Sequence, residues 1–429
     1  MNPWRKLGAA VVIVASPLLP VYVWASCRNY DCAVSAPVLD VLSGRLPALE
    51  VIGGWIPRPT LEAFQTFGIW CALQMALFLL IPGPTGYGNI TPAGERLSYK
   101  LNGLRAWIVT HLLLGVAVVA GLIRPTLVYD QWGSLLIAAN VWGLAITAFV
   151  YWKAYCAPSY AGDRSFSGSR IIDFFAGIEL NPRLGPIDLK LFHIGRLGML
   201  SWTVVIGSCA AAQYARFGTV TNSMAIVILL QTAYVVDLFW REDWYLRTID
   251  IQHDRFGFYL AWGAVGWLPF FYTLQALYLV GHPVNLPPWA VTGVLSLGLG
   301  GYAIFFATNN QRNRFRQGAG PMQVWGKEAA WIDAPYVTLD GERRQSRLLI
   351  SGWWGLARHV NYVGDIMLAS AVGLACGFGN ILPYMYPIFL TGLLLHRIKR
   401  DDIRCRKKYG EAWKEYCKTV PYRLIPGVW

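Results

Sequence analysis

Long apolar runs separated by short polar segments dominate the chain. Runs of the length needed to cross a lipid bilayer occur near residues 8–26, 64–82, 104–122, 133–152, 195–214, 223–240, 256–280 and 287–307. A last pair, near 363–379 and 380–396, is shorter and is broken by Gly377-Phe378-Gly379-Asn380, which predicts either a tight helical hairpin or a re-entrant loop. Either form returns the chain to the same side. The pattern predicts an all-α polytopic integral membrane protein with about ten transmembrane helices. The first run has a basic start and no small-x-small site after it, so it reads as a first span and not as a cleaved signal peptide.

Composition strengthens this reading. Of 429 residues, 55% are hydrophobic and only 14% charged, and 20 are Trp, a departure from soluble averages in the membrane direction. Charge adds orientation. If both termini are cytosolic, only Arg28, Arg45, Arg58, Arg124 and Arg216 of the 37 Lys and Arg fall on the far side. That asymmetry is the positive-inside pattern, so the net charge of +13 reflects topology and membrane lipid, with no call for nucleic acid. The membrane would be the endoplasmic reticulum in a eukaryote and the inner membrane in a bacterium. The polar segments divide an N-terminal half, 1–222, from a C-terminal half, 223–429, which carries most of the candidate chemistry.

The eight cysteines form no CxxC pair and no Cys/His grouping at zinc-ligand spacing, so no metal is expected. Cys27 and Cys32 lie close together in a loop predicted on the outer side. A disulfide and two free thiols are both open there.

The segment Arg241–Gly257, REDWYLRTIDIQHDRFG, packs charge between two apolar runs. Read as one helix, it places Glu242, Tyr245 and His253 on one face and Asp243, Arg247, Asp250 and Asp254 on the other. The second face reads as a structural ion cluster. The first offers a phenol, a carboxylic acid and an imidazole, the groups a proton relay into an apolar pocket would use. A hydrogen-bonded interfacial helix is the plainer alternative.

Two basic segments share the predicted cytosolic side: Asn309–Gln317 (NNQRNRFRQ), and the tail that begins at His396. On a continuous helix Arg397, Asp401, Arg404 and Lys408 fall on one face. Anchoring to anionic lipid explains cations, but not Asp401 and Asp402. Arg forks for phosphate with a carboxylate for a ribose hydroxyl explain both. Between these segments, SGWWGLARHVNYVGD offers Gly352 and Gly355 for close backbone approach, Trp353 and Trp354 as stacking surfaces, and Asn361 to read an amide. No GxGxxG or GxxxxGK[ST] stands in strand-turn-helix context, so a nucleotide would need a different cradle.

These blocks, with TPAGERLSYKLNGLRAW, IIDFFAGIELNPRLG and HRIKRDDIRCRKKYGEAWKEYCKTVPYRLIPG, resemble the membrane sterol reductases that include the Δ14, Δ7 and Δ24(28) enzymes. SCRNYDCAVSAPVLDVLSG and VWGKEAAWIDAPYVTLDGERRQSRLL resemble the Δ7 branch. The resemblance runs through essentially the whole chain. It implies an NADPH-dependent enzyme that reduces the C7–C8 double bond of a Δ5,7-sterol in an intramembrane pocket. The implied cofactor positions are Arg312, Arg316, Trp354, Asn361, Arg397, Asp401 and Tyr409. Relatives commonly carry Lys at the position of Arg312, which keeps the charge and changes the phosphate geometry. An isolated-ring alkene accepts hydride only once protonation makes it cationic. Tyr245 is the expected donor, aided by Glu242 or His253.

Three rivals remain on the residues alone. A Δ14-reductase shares the signature blocks. The tail more loosely resembles membrane methyltransferases that bind S-adenosylmethionine, which lack the EDWYLRTIDIQHDRFG block. A non-catalytic sterol-binding scaffold would resemble lamin B receptor-like proteins; no basic domain precedes the first span here, and the candidate acid and cofactor groups are retained.

Overall fold

The computed structural model describes residues 3–44, 53–318, 322–337 and 341–429. Arg45, counted above among the far-side cations, lies outside them. The described chain forms two compact units, one of residues up to 285 together with 378–382, the other of 286–377 and 383–429.

Each predicted apolar run falls on a helix. In the first unit these are α1 (Pro3–Asn29), α2 (Leu61–Leu80), α3 (Gly103–Val119), α4 (Trp132–Cys156), α5 (Leu189–Phe217), α6 (Asn222–Trp240) and α7 (Phe258–Gly281). In the second they are α8 (Pro288–Gln317), α9 (Val360–Leu374) and α10 (Met385–Tyr409). Among the described residues seven of these are long and apolar enough to cross a membrane on their own measure; α3 and α9 are apolar but shorter. α9 and α10 pack on each other, so the broken last pair is helical on both sides of its turn.

Along their apolar stretches these helices show no polar stripe, because their outer faces meet lipid and not water. Leu80 is 79% exposed and Val119 90% exposed, positions that would be costly in water and are ordinary in a bilayer. Lipid offers no hydrophobic drive between helices, so close packing takes over. In the second unit, a side-chain carbon at Gly301 would sit 2.7 Å from the Gly364 carbonyl, which shows how closely α8 and α9 approach.

Among the described residues four two-stranded hairpins, which the apolar pattern did not predict, lie in the polar segments. The longest pairs Trp331–Val337 with Arg343–Leu349 in antiparallel register. Cys27 and Cys32 are joined as a disulfide.

Candidate functional site

The segment Arg241–Gly257 is not one helix. It forms two short helices, Glu242–Tyr245 and Ile249–Gln252. Thr248 separates them: its backbone is extended, and its hydroxyl donates to the Tyr245 carbonyl at 2.8 Å. The common face expected for Glu242, Tyr245 and His253 therefore does not form, and each residue meets different surroundings. His253 is exposed. Tyr245 is half-buried and packs against two apolar clusters, one including Phe78 and Phe192 and the other Tyr99 and Leu246.

Glu242 is buried in an ion pair. One carboxylate oxygen accepts from the Gly103 amide at 2.8 Å, and the other lies 3.5 Å from the Arg196 guanidinium. Arg196 also donates to Asn102 Oδ1 at 2.5 Å. Asn102 in turn donates to the carbonyls of Phe78 at 3.1 Å and Ile81 at 2.8 Å, where α2 ends. The rings of Phe78 and Phe239 face the guanidinium, their centroids 5.8 and 5.6 Å from its carbon, a further cation–π contact. Burial pushes the Glu242 carboxyl up from its ordinary value, against the pull of Arg196 and the Gly103 amide.

The ion cluster is also arranged differently from the helical-wheel expectation. Asp243 and Arg247 stand 3.9 Å apart and half-exposed. Asp250 and Asp254 lie within electrostatic reach of Lys190. Fully buried, Lys190 donates to the carbonyls of Ile251 at 2.7 Å and Asp254 at 2.8 Å. At the end of the segment, the Phe256 amide donates to the Glu179 carbonyl at 3.0 Å. Gly177, at φ +87°, and Gly257 let the two strands of backbone touch there. Glu179 is itself paired with buried Lys153 at 3.1 Å.

Arg196 and Lys190 were missed as site residues because their sequence, DLKLFHIGRLGML, reads as a basic flank of the fifth span. The helix instead begins at Leu189, so both charges lie inside it, and a wider π-type turn over Phe192–Met199 sets the direction of Arg196. The available signal was two charges embedded in an apolar run.

The second unit holds the cofactor candidates. Arg312, near the end of α8, lies over the Trp354 ring with its guanidinium carbon 4.7 Å from the centroid. Trp354 is buried and donates its indole N–H to the Thr308 carbonyl at 3.0 Å. Asn309 Oδ1 accepts from Arg312 at 3.3 Å and from Asn361 at 3.5 Å, which ties these residues together. Asp401 pairs with Arg404 and accepts from His359 Nε2 at 3.3 Å, while His359 Nδ1 reaches the Arg423 carbonyl at 3.2 Å. Arg397 lies within electrostatic reach of Tyr362 and Asp365, and Asp401 within that of Arg312. Arg316 is exposed beside Arg312. Tyr409 is placed against Tyr336, ring centroids 5.8 Å apart, with the Lys408 ammonium near both rings.

Asn309 and His359 are polar residues of this unit that the sequence reading passed over. Gly352 also has a different role from the one expected. At φ +62° it leaves room for the Gln311 amide, whose Oε1 accepts from the Trp353 N–H at 3.0 Å. Among the described residues of this region, Asn361 Oδ1 and Arg404 Nε are buried with no hydrogen-bond partner. In a folded protein such atoms call for a ligand or water.

Comparison with known proteins identifies the family. Residues 5–429 match the ergosterol biosynthesis ERG4/ERG24 family. The chain belongs to that family. It is 46% identical to the 7-dehydrocholesterol reductase of Xenopus laevis, over 99% of this chain and 92% of the relative. To the 7-dehydrocholesterol reductase of Danio rerio it is 42% identical, with the same shares covered. A Delta(14)-sterol reductase of Methylotuvimicrobium alcaliphilum is 39% identical over 98% of this chain and 94% of the relative. The family and the apolar helices make this an integral membrane protein. As a sterol reductase family member it draws on a reductant.

Proposed function

We propose that this protein reduces the C7–C8 double bond of a Δ5,7-sterol with NADPH. The observation that carries the reading is the near full-length similarity to proteins named 7-dehydrocholesterol reductase. Protonation at C8 of a conjugated 5,7-diene leaves an allylic cation, and hydride arriving at C7 then leaves the Δ5 bond intact.

Tyr245 is the proton donor in this reading. Its ring sits among apolar side chains, and a phenol, protonated at neutral pH, can give up that proton as charge develops on the substrate. Glu242 takes a new role: committed to Arg196 and the Gly103 amide, it holds the start of the segment in place. Lys190 holds its end.

NADPH would be held by Arg312, Arg316, Trp354, Asn361, Arg397, Asp401 and Tyr409, and would supply the hydride. The orphaned Asn361 oxygen and Arg404 Nε fit an additional polar ligand there. Arg312 and Arg397 offer guanidinium forks to phosphate oxygens, and Asp401 an acceptor to a ribose hydroxyl. Arg312 already covers one face of Trp354, so the indole orients that guanidinium.

Incubating the full chain in detergent with NADPH and either a 5,7-diene or an 8,14-diene sterol, followed by gas chromatography and mass spectrometry, tests the reading. Loss of the 5,7-diene alone supports it. Loss of the 8,14-diene alone assigns the chain to the activity named for the 39% identical relative. A Tyr245→Phe variant that binds NADPH normally should lose roughly 100- to 10,000-fold in turnover. Full turnover by that variant would move the donor elsewhere.

A further inference from the structure

α10 has a second face. Arg397, Asp401 and Arg404 share one side of the helix, whereas Leu395, Lys399, Ile403 and Arg406 lie around the other. That other side opens onto a groove of about 960 Å³. Its floor is apolar, built from Leu395, Ile398 and Ile403, with Trp429 at one wall.

The rim is cationic. Lys399, Arg406, Lys407 and Arg423 line it against one acidic side chain, Asp402. That carboxylate is already occupied: it accepts from the Trp413 indole at 3.0 Å and pairs with Arg406 at 3.3 Å and Arg423 at 3.9 Å. Arg423 is further held over the Trp429 ring, 5.5 Å from its centroid. Lys399 and Lys407 have no hydrogen-bond or ion-pair partner among the described residues.

The helix also fixes the depth of the groove. From Met385 to Leu395 α10 is apolar, and its charged half begins at His396. Lys399 follows one turn after Leu395, where an apolar helix meets the layer of lipid phosphates. A soluble anion would gain nothing from Leu395 and Ile403. A wholly apolar ligand would gain nothing from two unpaired ammonium groups.

We propose that this groove binds an anionic phospholipid, with its phosphate at Lys399 and Lys407 and an acyl chain along Leu395 and Ile403. The site is separate from the cofactor face and does not depend on the function proposed above. It explains why a tail whose opposite face carries the nucleotide candidates also carries unpaired lysines.

The test uses the purified full chain in uncharged detergent, with phosphatidylglycerol or phosphatidylcholine of matched chains added. Native mass spectrometry counts retained lipid, and thermal melting reads its effect. Phosphatidylglycerol should be retained and raise the melting temperature; phosphatidylcholine should do neither. Lys399→Gln and Lys407→Gln should each weaken retention roughly five-fold while leaving NADPH affinity unchanged. Ile403→Gln should weaken retention of the lipid as well. Equal retention of both lipids, or undiminished preference in the double lysine variant, overturns the proposal. So does an equal stabilisation by inorganic phosphate alone, which would make the site one for a soluble anion.

Discussion

Two polar clusters in this protein look alike in composition and differ in closure. In the first, both Glu242 oxygens and both kinds of Asn102 atom have partners, and what is left over is Arg196 Nη1, on a guanidinium flanked by the Phe78 and Phe239 rings. In the second, Arg312, Asn361, Arg404 and Asp401 leave Asn361 Oδ1 and Arg404 Nε buried without partners. Desolvated groups that satisfy each other hold a structure together. Desolvated groups left open are suited to a ligand. Proximity of charge alone would have classed the two together.

The sharpest way to break this contrast is to open the closed cluster. Arg196→Ala leaves Glu242 buried without its cation, a change that costs about 3–5 kcal/mol. The expected result is a large fall in melting temperature or in folded yield. The double variant Arg196→Met, Glu242→Leu should recover much of that loss, because two apolar side chains remove the desolvation cost of both charges. If Arg196→Ala melts like the parent, the cluster does not hold the Glu242–Tyr245 turn.

The open cluster should respond the other way. Asn361→Leu, Arg404→Ala and Arg397→Ala are expected to weaken NADPH binding, by about 1–3 kcal/mol each where one hydrogen bond to a charged or buried group is lost. Melting without cofactor should change little for Asn361→Leu and Arg397→Ala, whereas Arg404→Ala also loses the ion pair to Asp401 and should melt lower. A variant of this set that loses stability while keeping NADPH affinity would show that the second cluster is closed after all.

The hydrophobic pattern was enough to read the helices, because a lipid-facing helix is apolar on every side and length alone marks it. The branch of chemistry was legible in blocks such as EDWYLRTIDIQHDRFG. The geometry within that block was not, because a helical wheel assumes a continuous helix and Thr248 interrupts this one. Arg196 was hidden for a related reason: a charge near a span end reads as a topological flank, and only the buried partner from 46 residues downstream shows otherwise. The Trp331–Leu349 hairpin was hidden by being sought as a polar connection, although Asp340-Gly341 lies between its strands.

The smallest expected effect separates the clusters by the sign of their pH dependence. Burial pushes Glu242 up. A carboxyl raised on folding adds stability that is fully present below its unfolded pKa of about 4.3 and is lost as pH rises through the folded value. The stability of the parent relative to Glu242→Gln, which does not titrate, should therefore improve as pH falls from neutral. Burial would also push Asp401 up, but the hydrogen bond from His359 and the charge of Arg404 outweigh it and hold the carboxyl well below the usual range. A carboxyl lowered on folding adds stability that is present above its unfolded pKa of about 3.9 and is lost as pH falls through the folded value. The margin of the parent over Asp401→Asn should stay level through mildly acidic pH and shrink only below the usual carboxylate range. Melting temperatures of the parent and both variants across that range measure the two slopes. Parallel slopes would mean that the two carboxylates share one kind of environment and that closure does not distinguish the clusters.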